Sequence, residues 1–108
     1  MGISKFANQG ISQLNYADAD AKAFADFIQT PEGGGYEPDH MSVLLNQDAT
    51  LANVRNSLYN FLAQAIDSDL VTIYFAGHGA PNPLKPDQLY LLTYDSDQIG
   101  RASCRERV

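Results

Sequence analysis

Residues 71–80 read VTIYFAGHGA, and this run constrains the chain more than any other part of it. Over residues 70–76 the side chains are apolar on both faces apart from Thr72. A strand with one wet face would alternate. A continuous apolar run of this length predicts a strand covered on both faces, the place of a central strand in a parallel sheet. The run stops at Gly77-His78-Gly79. Parallel α/β sheets gather ligands and catalytic groups beyond the carboxyl ends of their strands, and His78 stands at such an end. Gly77 would let the chain turn sharply out of the strand, and Gly79 would leave its backbone N–H open to a substrate oxygen. An imidazole base beside an exposed backbone donor is the minimum equipment for acyl transfer. The same residues also suit a histidine that merely caps a strand, and spacing alone does not choose between the two.

The surrounding sequence supplies the rest of an α/β unit. Residues 1–4 read as the end of a strand and 5–15 as a loop. Ala17, Ala21, Phe24 and Ile28 recur at helical spacing and predict a helix over 17–29. Asn15 is the expected N-cap, with Asp18 and Asp20 in the favourable first turn. Residues 30–40 contain Pro31, Gly33, Gly34, Gly35 and Pro38 and must be a loop. A short strand is expected at 41–45. Thr50 caps a second helix over 51–67, whose stripe is Leu51, Val54, Leu58, Phe61, Leu62, Ala65 and Ile66. Residues 80–87, with Pro81, Pro83 and Pro86, form a loop before a further short strand at 89–93. Strand, helix, strand, helix, strand is the order of a parallel sheet with helices on both faces.

At 108 residues the chain is long enough for one small domain with a single core. Its net charge of −6 offers no basic face for phosphates, so no nucleic-acid partner is expected. No apolar run nears the ~20 residues that span a bilayer, so no membrane partner is expected. The N-terminus has neither the basic nor the apolar part of a signal peptide. With Cys104 as the one cysteine no internal disulfide forms, and a reducing cytoplasm is the expected compartment. Residues 99–108, IGRASCRERV, carry three of the four arginines and show no period. They resemble the translation of a common sequencing adapter and are expected to lie outside the fold. That leaves a domain at 1–98 with 12 acidic and 4 basic residues, a net charge of −8. Because residues 1–4 look like a strand without its beginning, the chain reads as an internal fragment of a larger domain.

Other polar residues give weaker signals. His40 follows Pro38-Asp39 in a loop and is expected to be exposed or capping. Asp18, Asp20 and Asp26 mark an acidic, solvated helix face. Asp95 and Asp97 follow the last strand and could line the same carboxyl edge, without the His or Glu spacing of a metal site. The Gly33-Gly34-Gly35 run follows a helix and lacks the Lys-Ser/Thr of a phosphate loop. Residues 4–10, SKFANQG, carry no phosphate fingerprint either, which argues against a flavodoxin-like binding module.

Three stretches carry a family resemblance. MGISKF at 1–6 resembles the first-strand segment of the caspase family. LNYADADAKAFADFI at 14–28 resembles its first helix, with Asp20-Ala21 and Phe24 in the family's pattern. DLVTIYFAGHGA at 69–80 resembles the strand that delivers the catalytic histidine. Over 1–98 the chain is similar to a caspase-family peptidase domain of the metacaspase-like kind common in bacteria, truncated before the catalytic cysteine.

The resemblance implies a three-layer α/β sandwich, mainly parallel with helices on both faces, of which this chain is a fragment. It implies a cysteine endopeptidase that cleaves a polypeptide substrate through a His/Cys dyad. His78 would be the catalytic histidine and the Gly79 N–H part of the oxyanion hole. The cysteine would end the next parallel strand about 50 residues after the histidine, at about position 128. Cys104 is too early, so the fragment itself is expected to be inactive. Near Leu14, where aspartate-specific caspases keep an arginine, no basic residue stands. With the acidity of the domain this points to a basic P1 residue and to Asp20 as a contributor to its pocket. Calcium is a cofactor the resemblance allows, although the sequence shows no calcium site and no other cofactor. The full-length protein is expected to carry further domains. The alternative function is a non-catalytic caspase-like signalling or scaffold module.

Overall fold

The computed structural model describes residues 1–96 and a short strand at 105–107. Gly2 is bridged in parallel to Leu45 on one side and to Ala76 on the other. The Gly2 N–H donates to the Leu44 carbonyl at 2.9 Å, and its carbonyl accepts from the Asn46 N–H at 3.0 Å. On the other side Ile3 N–H donates to the Ala76 carbonyl at 2.9 Å and Ala76 N–H donates to the Met1 carbonyl at 3.0 Å. Three short parallel segments therefore lie side by side, with 1–3 in the middle. This corrects the expectation for residues 70–76. They sit at the edge, and Leu70 and Ile73 are 80% and 68% exposed rather than covered. A run apolar on both faces reports that the segment needs cover; the described residues supply it on one side only.

Helix α1, Ala17–Gln29, forms where the periodicity places it. Its buried residues are Ala17, Ala21 and Ala25, while Phe24 and Ile28 are half-buried. The small side chains let the helix lie directly on the central segment. A Cβ added at Gly2 would overlap Ala21 Cβ and stand 2.6 Å from the Ala17 carbonyl oxygen. The Phe24 ring stacks on Tyr74 with centroids 4.5 Å apart. Asn15 does not cap this helix. Tyr16 holds the N-cap position without a side-chain bond. The free N–H groups of the first turn go instead to Ser4 Oγ, which accepts from Asp18 N–H at 3.0 Å, and to Asp18 Oδ1, which accepts from Ala19 N–H at 2.8 Å.

The second helix opens as expected, with Thr50 Oγ1 accepting from Asn53 N–H at 3.3 Å. Helix α2 is regular only over Leu51–Asn56; wide π turns follow over Ser57–Phe61, then a tight turn over Leu62–Gln64. A wide turn adds about one residue and swings later side chains off the stripe. Leu51 and Val54 are buried, but Ala65 and Ile66 are exposed, and the expected extension to residue 67 is absent.

The last described strands are antiparallel, not parallel. β1 is Gly79–Pro81, β2 is Leu89–Leu92 and β3 is Arg105–Arg107, in the order β1-β2-β3. Gly79 lies opposite Leu91, and Leu91 opposite Glu106. The loop between β1 and β2 is too short for the crossover that parallel strands need. Asn82 closes it: its N–H donates to the Gln88 carbonyl at 2.8 Å and its amide to Tyr90 Oη at 3.1 Å. Asp97, Cys104 and most of the run 99–108, expected to be foreign, lie outside the described residues.

The core gathers where these pieces meet. Ile3, Phe6, Ile11, Ala49 and Leu92 are buried together, each large side chain contributing about 1.5–3 kcal/mol by leaving water. Tyr94 N–H donates to the Ala49 carbonyl at 2.8 Å and Ala7 N–H to the Tyr94 carbonyl at 3.0 Å, so the chain leaving β2 is tied to both neighbouring loops.

Candidate active site

His78 lies two residues beyond the Ala76 bridge and one before β1, at the carboxyl edge of the parallel segments. Its carbonyl accepts from Leu92 N–H at 2.9 Å, which fixes the backbone. Its ring is half-exposed, with Nε2 2.8 Å from the Ser12 carbonyl oxygen. A carbonyl oxygen only accepts, so Nε2 carries the proton in this contact, and in the neutral ring Nδ1 is left as the basic nitrogen. Phe6 supports the imidazole from one side, with ring centroids 5.4 Å apart and planes inclined at 41°.

The chain bends at Gly77 as it leaves the parallel segment, as expected. The bend does not use a positive φ, which among the described glycines belongs to Gly34 and Gly35. The two glycines also act through space: a Cβ at Gly77 would come within 3.0 Å of the Phe75 ring, and one at Gly79 within 3.3 Å of the Tyr90 carbonyl oxygen. The His78–Leu92 bond makes Gly79 and Leu91 a pair without mutual hydrogen bonds. The Gly79 N–H therefore points away from β2, and among the described strands β1 lies at the edge.

Beside this edge lies a polar cluster that the sequence did not announce. Ser4 Oγ donates to Asp18 Oδ1 at 2.8 Å, and the Asn46 side-chain amide donates to Asp18 Oδ2 at 2.9 Å. Asn46 Oδ1 accepts from the N–H groups of Ser4 and Lys5 at 2.9 and 3.2 Å. The Asn46 amide above all, then the Ser4 hydroxyl and the Ala19 N–H, hold the Asp18 carboxyl below its ordinary pKa. Asp18 is thus no part of a merely solvated face. Asp20, expected at a substrate pocket, is exposed on the same turn, and its N–H makes the helical bond to Tyr16 at 2.8 Å. Asp26 pairs with Lys22 at 3.6 Å in solvent. Asp95 leaves the edge to serve α2: its Oδ1 accepts from Leu51 N–H at 3.0 Å and from Thr93 Oγ1 at 2.8 Å. Asn46 takes φ +49°, a conformation that asparagine tolerates by bonding locally. Ser12 acts through its carbonyl and gave no signal at all.

A cavity of about 480 Å³ lies on the helix side, between α1, residues 51–65 and residues 69–75, and His78 is not in its walls. Among the described residues Glu37, Asp39 and His40 bring one ligand atom each within 4.8 Å of one another, all exposed. Calcium takes six or more oxygen ligands and has no use for an imidazole, so this group does not fit it. His40 is exposed, as its loop position implied. No helix among the described residues is long and apolar enough to cross a membrane.

The chain thus carries a tethered imidazole and an outward backbone donor at the carboxyl edge of its parallel segments. The profile of the caspase domain family, peptidase C14, matches residues 1–106, and the chain belongs to that family. The family gives it a cysteine-peptidase type and a polypeptide substrate. Comparisons with curated proteins and with solved structures return no match.

Proposed function

We propose that the chain is the histidine-bearing part of a cysteine endopeptidase, with His78 as general base and acid and the Gly79 N–H as an oxyanion donor. The observation that carries this reading is the His78–Ser12 contact, because it leaves Nδ1 free to take a proton. Nδ1 accepts the proton of a cysteine thiol, and the thiolate attacks the scissile carbonyl carbon. Negative charge collects on the carbonyl oxygen, within reach of an outward N–H such as that of Gly79. The tetrahedral adduct collapses to a thioester as His78 returns the proton to the leaving amine. Water, deprotonated by the same imidazole, then releases the acid and restores the thiol.

The open edge of residues 70–75 supports the place of the missing partner. A further parallel strand paired there would end beside Gly77 and His78, and a cysteine about 50 residues after the histidine fits that position. With that strand added the domain becomes the mainly parallel, three-layer sandwich. The acidic surface and the exposed Asp20 favour a basic P1 side chain. Cleavage of fluorogenic peptides ending in Arg, Lys or Asp by the full-length protein tests the reading. Turnover after Arg or Lys, blocked by iodoacetamide, is expected. Cleavage that survives alkylation, or no cleavage of any peptide, contradicts it. The 108-residue chain alone is expected to show no His78-dependent turnover.

A further inference from the structure

The loop at 5–16 has no regular element of its own, yet it must hold the Ser12 carbonyl steady against His78. Its entry and exit are both tied to Ser4, which is only 2% exposed. All the polar groups of Ser4 are engaged. Its N–H donates to Asn46 Oδ1 at 2.9 Å and its hydroxyl donates to Asp18 Oδ1 at 2.8 Å. The same oxygen accepts from Asp18 N–H at 3.0 Å. The Ser4 carbonyl accepts from Leu14 N–H at 2.7 Å, two residues after Ser12. Asn46 is held in the left-handed region at φ +49°, a backbone cost that persists only where neighbours over-determine the residue. Its side chain binds Ser4, Lys5 and Asp18 together.

We propose that Ser4, gripped by Asp18 and Asn46, is a positioning residue that fixes where the Ser12 carbonyl meets the His78 imidazole. The path is short and continuous: Asp18 and Asn46 hold Ser4, Ser4 holds Leu14, and Leu14 fixes the carbonyl two residues back. The half-buried carboxylate closes the grip as the shared acceptor of the Ser4 hydroxyl and the Asn46 amide, so removing its charge weakens both bonds at once. The catalytic meaning rests on reading His78 as the general base; the geometry and its test do not.

The test is solvent exchange of the His78 Nε2–H, followed by NMR on the 108-residue chain with ¹⁵N-labelled histidine, using His40→Gln to assign the two rings. The proton should exchange slowly in the parent chain. In Ser4→Ala and Asp18→Asn it should exchange at least roughly fivefold faster, the loss expected when one intramolecular hydrogen bond is given up to water. Ser4→Thr, which keeps the hydroxyl, should restore slow exchange, and Asp26→Asn, which removes a charge from the same helix, should change nothing. Unchanged exchange in Asp18→Asn with dispersed backbone amides overturns the proposal. So does loss of the folded spectrum in Asp18→Asn, which would make the cluster a requirement for folding rather than for placing the ring. Because no substrate or thiol enters the measurement, its failure leaves the peptidase reading to be judged by cleavage alone.

Discussion

The two flanks of Ala76 obey opposite rules. On one side, residues 1–7, 44–49 and 92–96 surround Ile3, which is fully buried, and bind one another through the backbone and through Ser4, Asn46 and Asp18. On the other side, residues 66–75 carry Ile66, Leu70, Val71 and Ile73 into solvent. Among the described residues a closed polar-and-apolar joint thus stands next to an apolar edge that they leave uncovered. The difference separates a fixed region from an exposed one. His78 is held from the closed side, through the Ser12 carbonyl, and the open side leaves apolar side chains in solvent.

The largest effect expected is on catalysis. His78→Ala in the full-length protein should reduce kcat/KM for peptide cleavage at least about 10³-fold, because in the proposed mechanism both proton transfers pass through that ring. Next comes stability, where the two flanks should separate cleanly. Gly2→Ala forces a methyl group into Ala21 and the Ala17 carbonyl, and should cost about 1–3 kcal/mol in urea unfolding. Ile73→Ser, on the open flank, should change stability by less than about 0.5 kcal/mol while reducing self-association, since it removes an exposed edge apolar group. A large loss from Ile73→Ser would mean that the edge is already covered in solution. Asp95→Ala removes an acceptor from the first N–H of α2 and should cost about 1 kcal/mol.

The smallest effects concern pH. The folded pKa of Asp18 lies below its unfolded value, chiefly through the Asn46 amide. Its contribution is therefore present above about pH 3.9 and is lost as pH falls through the folded value. Asp18→Asn should flatten the acid limb of a stability–pH curve.

Much of this arrangement was written in local patterns, and the misses share a cause. The start of α1 and its apolar spacing were legible because a helix face depends on neighbours three and four residues apart. The bend at Gly77 was legible because a glycine closing an apolar run marks the end of an extended segment. The end of the second helix was not, because a π turn at residues 57–61 leaves no mark in composition. Residues 70–76 were placed at the centre because apolarity reports a need for cover and not its presence. The strand at 89–92 was expected in the parallel sheet, although the loop at 82–88 is too short for a crossover and pairs it antiparallel. The Ser4–Asp18–Asn46 cluster joins residues up to 42 positions apart, and no window along the chain contains it.

Native-state amide hydrogen exchange on the 108-residue chain tests most directly whether a fixed edge at His78 stands beside an open segment at 70–75. The amides of Ile3, Ala76, Leu92 and Tyr94 should exchange slowly and together, near the rate of global unfolding, while those of Val71 and Ile73 exchange fast. Equal protection on both sides of Ala76, or faster exchange at Ile3 and Leu92 than at Ile73, would contradict the account.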